Sequence, residues 1–394
     1  MKTKTLHYDF TEHEVDFKNI FISYKCIFDG NSKLLDGTGV HLSVKKAHDL
    51  ANYEFIERTI GSYRSFKGKI FNENFNKLNE NNTVFNVHKI SMFHKEQKTE
   101  RKKYEDIYTE NDSLLYIEVL DFNNNKILAP YDLFFWNDST SFFGSGTIGS
   151  AIYTNFKEAK KRAIFESIEK ATINNMWYLQ KIEKIESFSL KAVINFIPKK
   201  LQYLINQANY KFYFVLKIVD GAIVSLAISE FKYKSKKYFS VGSSCNESVK
   251  QAITKSLLEN IKTVIMLKQH IKQNKLEEIT ENNIRDYKDC YLYNNKEYHS
   301  KGIPFIEKVK KNLNSVLTNK FQSKAKISIE FIIKKYKFLF YHTEMIFDNK
   351  KFFFTKVFSI KLIPFSSNPN VLYLGSFNKY DLEDIYLKEL HFFP

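Results

Sequence analysis

Arginine is scarce in this chain. Only Arg58, Arg64, Arg101, Arg162 and Arg285 occur, so the formal net charge of +16 is carried almost wholly by lysine. Lysine spread along the whole length, beside abundant Asn, Ile, Phe and Tyr, is what an A/T-rich genome encodes. A nucleic-acid interface gathers Arg and Lys on one face with aromatics between them, so no specific nucleic-acid partner is expected. Cysteine is limited to Cys26, Cys245 and Cys290, far apart and without a CxxC or Cys/His pair, which excludes a zinc site and a disulfide framework. With 12 Gly and 6 Pro, collagen-like and flexible low-complexity classes fall too. There is no GxxxxGK[ST] loop, no GxSxG elbow and no HExxH pair, so the common nucleotide cradle, serine-hydrolase and zinc-protease chemistries have nothing to act with. The amino terminus lacks an apolar block of signal-peptide length, and a cytoplasmic protein is expected.

The longest apolar run, Phe212 to Ile228, contains Lys217 and the pair Asp220-Gly221 in its middle. It reads as a β-hairpin rather than a membrane span, since Asp-Gly between apolar runs is a strong two-residue turn signal. What the chain does have is core material: 394 residues, 43% hydrophobic and 16% aromatic. That is enough for one large domain or two ordinary ones. We read residues 1–394 as a single domain carrying polar insertions near 72–112 and 268–302, which are too polar for a core and are expected as surface helices or long loops. Strand-like runs from Lys337 to His342 and from Phe352 to Pro364 meet across Asp348-Asn349. Trp136 and Trp177 read as core, and histidines such as His41, His48 and His270 as surface or capping residues. The pattern of helices inserted between sheet segments is α+β.

Three helical segments share one layout. Each follows a glycine: Gly39 through Ala47 to Glu54, Gly149 through Ala159 to Glu166, and Gly242 through Ala252 to Glu259. In all three the alanine precedes the glutamate by seven residues, two helical turns, which puts both on one face. The apolar surface comes from Phe55 and Ile56, from Ile164, Phe165 and Ile168, and from Ile253, Leu257, Leu258 and Ile261.

Glutamates three apart on a helix ordinarily decorate a solvated face. The recurrence suggests instead that three faces converge. Small residues one turn before each glutamate would let something approach closely. Five converging carboxylates, Glu54, Glu57, Glu166, Glu169 and Glu259, would repel one another without a cation. No Cys or His stands among them, and an all-oxygen ligand set suits Mg²⁺. Arg58, Lys170 and Lys255 beside the acids would serve as phosphate partners, so the picture is a magnesium–nucleotide site.

These residues carry a resemblance to a known family. The segment LSVKKAHDLANYEFIER, residues 42–58, resembles the first signature helix of YcaO-domain proteins. GSAIYTNFKEAKKRAIFESIEK, residues 149–170, is similar to the second, and residues 242–262 are similar to the third. The end His391-Phe392-Phe393-Pro394 resembles the proline-terminated tails of YcaO cyclodehydratases, and length and tail look closest to the cyclodehydratase subunit of thiazole/oxazole-forming microcin synthetases. The resemblance implies a YcaO-like α+β fold with mixed and antiparallel sheets, its three signature helices converging on an ATP/Mg site. It implies an ATP-dependent reaction on a ribosomally made precursor peptide. A Cys, Ser or Thr side chain attacks the preceding amide, ATP phosphorylates the oxyanion, and loss of phosphate leaves an azoline. By motif position, Glu54, Glu57, Glu166, Glu169 and Glu259 would hold Mg²⁺, while Arg58, Glu158, Lys170 and Lys255 would contact ATP. The carboxylate of Pro394 would be the general base.

The chain departs from the family pattern at Lys170 and Ala171, where Arg and Asp are expected, at Ile148 for Asn, at Lys262 for Gln, and at Ala51 for Ser. Lysine keeps the charge of arginine but not its bidentate fork. The implied partners are the precursor peptide, an E1-like leader-binding protein and, for azole products, a flavin-dependent dehydrogenase. Thioamide or amidine formation uses the same ATP site, and a diverged, non-catalytic scaffold is the reading from another class.

Overall fold

The computed structural model describes residues 2–8, 17, 20–29, 32–61, 68–87, 90, 93–99, 102, 109, 113–135, 148–276, 294–295, 299–321, 327–347, 349–359, 361–362 and 374–385. Strands β1 (Lys2–Tyr8), β2 (Phe21–Asp29) and β3 (Ser32–His41) form an antiparallel sheet leading into helix α1 (Val44–Gly61). Next come β4 (Ile70–Glu73), α2 (Phe75–Asn79), β5 (Leu114–Leu120), β6 (Lys126–Pro130), β7 (Ser150–Tyr153) and α3 (Phe156–Tyr178). After them stand β8 (Ser187–Ser189), α4 (Lys199–Gln207), β9 (Lys211–Val219), β10 (Ala222–Tyr233), β11 (Lys236–Asn246) and α5 (Val249–Lys272). The last part holds α6 (His299–Lys311), β12 (Leu313–Asn314), α7 (Ile329–Tyr336), β13 (Phe338–Phe347) and β14 (Lys350–Ser359). Antiparallel pairing dominates and β8 with β12 is parallel, which makes the fold α+β as expected.

Two compact units divide the chain. One comprises Met1–Asn52, Thr172–Ile327 and Asp384–Pro394, the other Tyr53–Ala171 and Ser328–Glu383. The first carries the β1–β3 sheet and a sheet of order β11-β10-β9-β8-β12. Its core includes Trp177, buried against Phe305 with ring centroids 5.5 Å apart, and the wholly buried Ile253, Leu257 and Ile261 of α5. The anticipated hairpin is there: Val219 pairs with Ala222 across Asp220 (φ 49°) and Gly221 (φ 88°). Two consecutive left-handed residues make the turn whose twist matches the strands it joins. The next turn, Lys234 (φ 45°) and Ser235 (φ 67°), uses the same geometry without a glycine.

The second unit is built on a sheet of order β4-β5-β13-β14-β7, with β6 also paired to β5. Its core gathers Ile117, Tyr131, Phe134, Phe135, Leu339 and Phe358. The C-terminal hairpin is longer on its first arm than the sequence suggested, because Thr343 to Phe347 continue pairing down to Lys350. Positions 348, 360 and 363–364 lie outside the described residues. The polar stretch 72–112 corrects our reading of it as non-core: Val87, Ile90 and Phe93 are buried in this cluster. A polar average hides apolar residues spaced widely enough to be buried one at a time. His94, fully buried in the same stretch, bonds through Nε2 to the Tyr380 carbonyl at 3.0 Å.

Cys245 is buried and not in a disulfide, while Cys290, Trp136 and the side chain of Cys26 lie outside the described residues. Among the described residues no helix is long and apolar enough to cross a membrane.

Candidate functional site

The repeated glycine-to-alanine layout is first of all a packing device. A Cβ on Gly39 would sit 2.1 Å from the Ala47 carbonyl oxygen and 2.6 Å from the Ala51 nitrogen. On Gly242 it would meet the Asn260 nitrogen at 2.1 Å and the Ser256 oxygen at 2.5 Å. What approaches these helices is therefore the preceding strand, not a ligand, and only glycine leaves room for it. Ala47 and Ala51 are accordingly buried, and Ala159, Ala163 and Ala252 are buried too.

The carboxylates distribute themselves differently. Glu54, Glu57, Glu166 and Glu169 all belong to the second unit, with Glu158, Arg58 and Lys170. Glu54 is held by Arg58 one turn on, at 2.6 Å. Glu169 lies 3.5 Å from Lys170, and Glu158, in the first turn of α3, pairs with Lys161 at 2.8 Å. Glu259 and Lys255 belong to the first unit, where Glu259 forms an ion pair with Lys262. Lys262 is 5% exposed and also reaches the Thr38 hydroxyl at 3.5 Å. Pro394, the expected general base, lies outside the described residues.

Glu57 and Glu166 form the centre. The Ser150 hydroxyl donates to Glu57 Oε1 at 2.6 Å, and the Gly149 N–H donates to Glu166 Oε2 at 3.0 Å. Gly149 has φ +78°, and a Cβ there would stand 2.7 Å from Ser167 Oγ, so this turn also requires glycine. Burial pushes Glu57 well above the usual carboxylate range; the Glu166 charge adds to the rise, and the Ser150 hydrogen bond opposes it. Burial likewise lifts Glu166 to about 7, against the pull of Lys170, which stands beside it.

Sequence reasoning missed Lys356, on β14. It is 3% exposed, donates to the Ile148 carbonyl at 2.6 Å, and lies within electrostatic reach of both Glu166 and Glu57. Burial lowers its ammonium to about 8, and those two carboxylates raise it. The only available signal was a single lysine inside the apolar run Phe352 to Phe358. The structure thus brings a buried pair of carboxylates together with an ammonium, and among the described residues no three Asp, Glu, His or Cys side chains are placed to share a metal ion. All-oxygen donors crowded into a water-poor setting fit a hard divalent cation, which would relieve the repulsion that raises Glu57.

The YcaO family model, described as a cyclodehydratase that binds ATP and Mg²⁺, matches residues 38–328. The chain belongs to the YcaO family. Its cofactors are those of the family, ATP and Mg²⁺. No curated protein sequence matches significantly. Among solved structures, the E. coli microcin synthetase McbBCD complex with pro-MccB17 bound aligns at TM-score 0.72 and 12% identity, covering 99% of this chain and 96% of that one. YcaO from Methanopyrus kandleri bound with AMPPCP and Mg²⁺ aligns at TM-score 0.59 and 11% identity, over 94% of this chain and 88% of its own. A heterocyclase in complex with substrate and cofactor aligns at TM-score 0.66 and 13% identity over 93% of this chain, which spans 50% of that protein's length. At such identities the likeness establishes the YcaO fold.

Proposed function

We propose that this YcaO protein is an ATP-dependent cyclodehydratase acting on Cys, Ser or Thr of a ribosomally made precursor peptide, in the cytoplasm and with separate partner proteins for leader binding and ring oxidation. The observation that carries the reading is the buried pair Glu57 and Glu166, anchored side by side on residues 149 and 150 inside a YcaO fold. The likeness to a microcin synthetase complex with a bound pro-microcin supports a peptide substrate.

Glu57 and Glu166, the pair the structure brings together, would hold magnesium, and Arg58, Glu158 and Lys170 of the same unit would meet the nucleotide. Magnesium–ATP, when bound, supplies the phosphoryl group that turns an amide oxygen into a leaving group. The chain's own part is positional. Ser150 and Gly149 fix the two central carboxylates by hydrogen bonds, so little reorganisation is needed to receive a cation. Burial keeps water from that pair, which strengthens every charge interaction there.

One observation favours a second reading, a diverged scaffold kept for assembly. Glu54, Glu169 and Glu259 already hold Arg58, Lys170 and Lys262 as ion partners. Calorimetric titration with a non-hydrolysable ATP analogue, with and without Mg²⁺, decides between them. Magnesium-dependent binding by the wild type that falls at least about tenfold in Glu57→Gln, the loss of a charge-assisted ligand, supports the enzyme. No binding by the folded wild type supports the scaffold.

A further inference from the structure

Three consecutive residues carry three different anchors. The Ile148 carbonyl accepts from Lys356 Nζ at 2.6 Å, the Gly149 N–H donates to Glu166 at 3.0 Å, and the Ser150 hydroxyl donates to Glu57 at 2.6 Å. The turn is itself clamped to the strand bearing the lysine. Lys356 stands opposite Ser150 in the antiparallel register of β14 with β7, and the Val357 N–H donates to the Gly149 carbonyl at 2.7 Å. One short segment therefore sets the place of two carboxylates and one ammonium, drawn from α1, α3 and β14.

A lysine at 3% exposure in the middle of a strand is costly unless its charge is matched. Two buried glutamates that raise each other's cost are expensive for the same reason. Each answers the other: the ammonium adds to the positive charge that Lys170 and Arg58 bring to the carboxylates, and the carboxylates are the partners that a buried lysine requires.

We infer that Lys356 is a positioning residue of the carboxylate site, a built-in counter-cation which, with the turn Ile148–Ser150, holds Glu57 and Glu166 in one arrangement before any divalent ion arrives. The function of that arrangement rests on the reading proposed above, but the arrangement itself does not. It follows that the site is ordered without metal, and that the carboxylate pair becomes a source of instability once the lysine is removed.

Thermal unfolding of the full chain in chelator tests this. Lys356→Met keeps most of the side-chain volume and removes the charge, and it should lower Tm by about 5–10 °C, as removing one charge from a buried cluster of opposite charges does. Adding Glu57→Gln, which removes one of the charges left uncompensated while keeping an acceptor for Ser150, should recover most of that loss. A loss caused only by packing would not be recovered by a change on another helix. Lys356→Met melting with the wild type, or a double mutant no more stable than Lys356→Met alone, overturns the inference. Should Lys356→Met fail to fold, a folded double mutant supports the inference and an unfolded one overturns it. The magnesium–ATP titration is a separate arm: its failure in the wild type would sink the proposed activity and leave the chelator comparison intact.

Discussion

Water is stripped from Glu166, and that is the main reason its carboxyl stands at about 7. Lys170 pulls it down, Glu169 raises it again, and Lys356 lowers it further. The folded state therefore favours the neutral acid relative to the unfolded chain, where the value is 4.5. The stabilising contribution is complete below 4.5 and is lost as pH rises through about 7. In chelator, Glu166→Gln should gain on the wild type across that interval by on the order of 3 kcal/mol, measured by urea unfolding at a series of pH values. A difference that stays flat with pH would refute the burial argument. Glu57, Glu166 and their neighbours were legible because glutamates recur at one helical spacing. Ser150 and Lys356 were not, because each joins the site by strand pairing, and a strand partner two hundred residues away leaves no local pattern.

At the scale of elements, the strand-to-helix junctions decide how closely β3 and β11 lie on α1 and α5. Gly39→Ala and Gly242→Ala each force a methyl group onto backbone atoms at 2.1 Å, and each should cost about 3 kcal/mol or more. Gly61, the last residue of α1, has nothing within 4 Å of an added Cβ. Gly61→Ala should instead stabilise the protein by about 0.5 kcal/mol through helix propensity and a less flexible unfolded chain. Urea midpoints of the three variants check the contrast, and equal effects at all three would show that close approach is not the reason for the glycines. The three helices, their apolar faces and the Asp220-Gly221 hairpin were readable from periodicity and turn chemistry. The Lys234-Ser235 turn was not, since neither residue favours a left-handed backbone and the flanking register of β10 with β11 imposes it.

For the whole molecule, the formal charge of +16 comes from lysines spread along the sequence rather than gathered in one segment. Binding to random-sequence DNA or RNA should appear only at low ionic strength and weaken steeply as salt rises, because its free energy comes from released counterions. It should be unchanged in Glu57→Gln, which leaves the lysines in place. Fluorescence anisotropy over a salt series measures both, and tight binding that persists at physiological salt would reopen the nucleic-acid reading. The ATP site should behave oppositely, lost with Glu57 and little affected by moderate salt, since buried charges are poorly screened.

Composition and periodicity alone determined that this chain folds around an aromatic-rich α+β core, and that three glycine-led helices repeat one face. The recurring glutamates, in the order of the YcaO signatures, were enough to name the chemistry to test. Tertiary structure decided which carboxylates share a setting. It joined Glu57 to Glu166 through residues 149 and 150, brought Lys356 to them from β14, and gave Glu259 its own partner in Lys262. The physical reason is range. Helix faces and hairpins are written within a few residues of one another, whereas the charge state of a buried group depends on whatever the fold carries to its side.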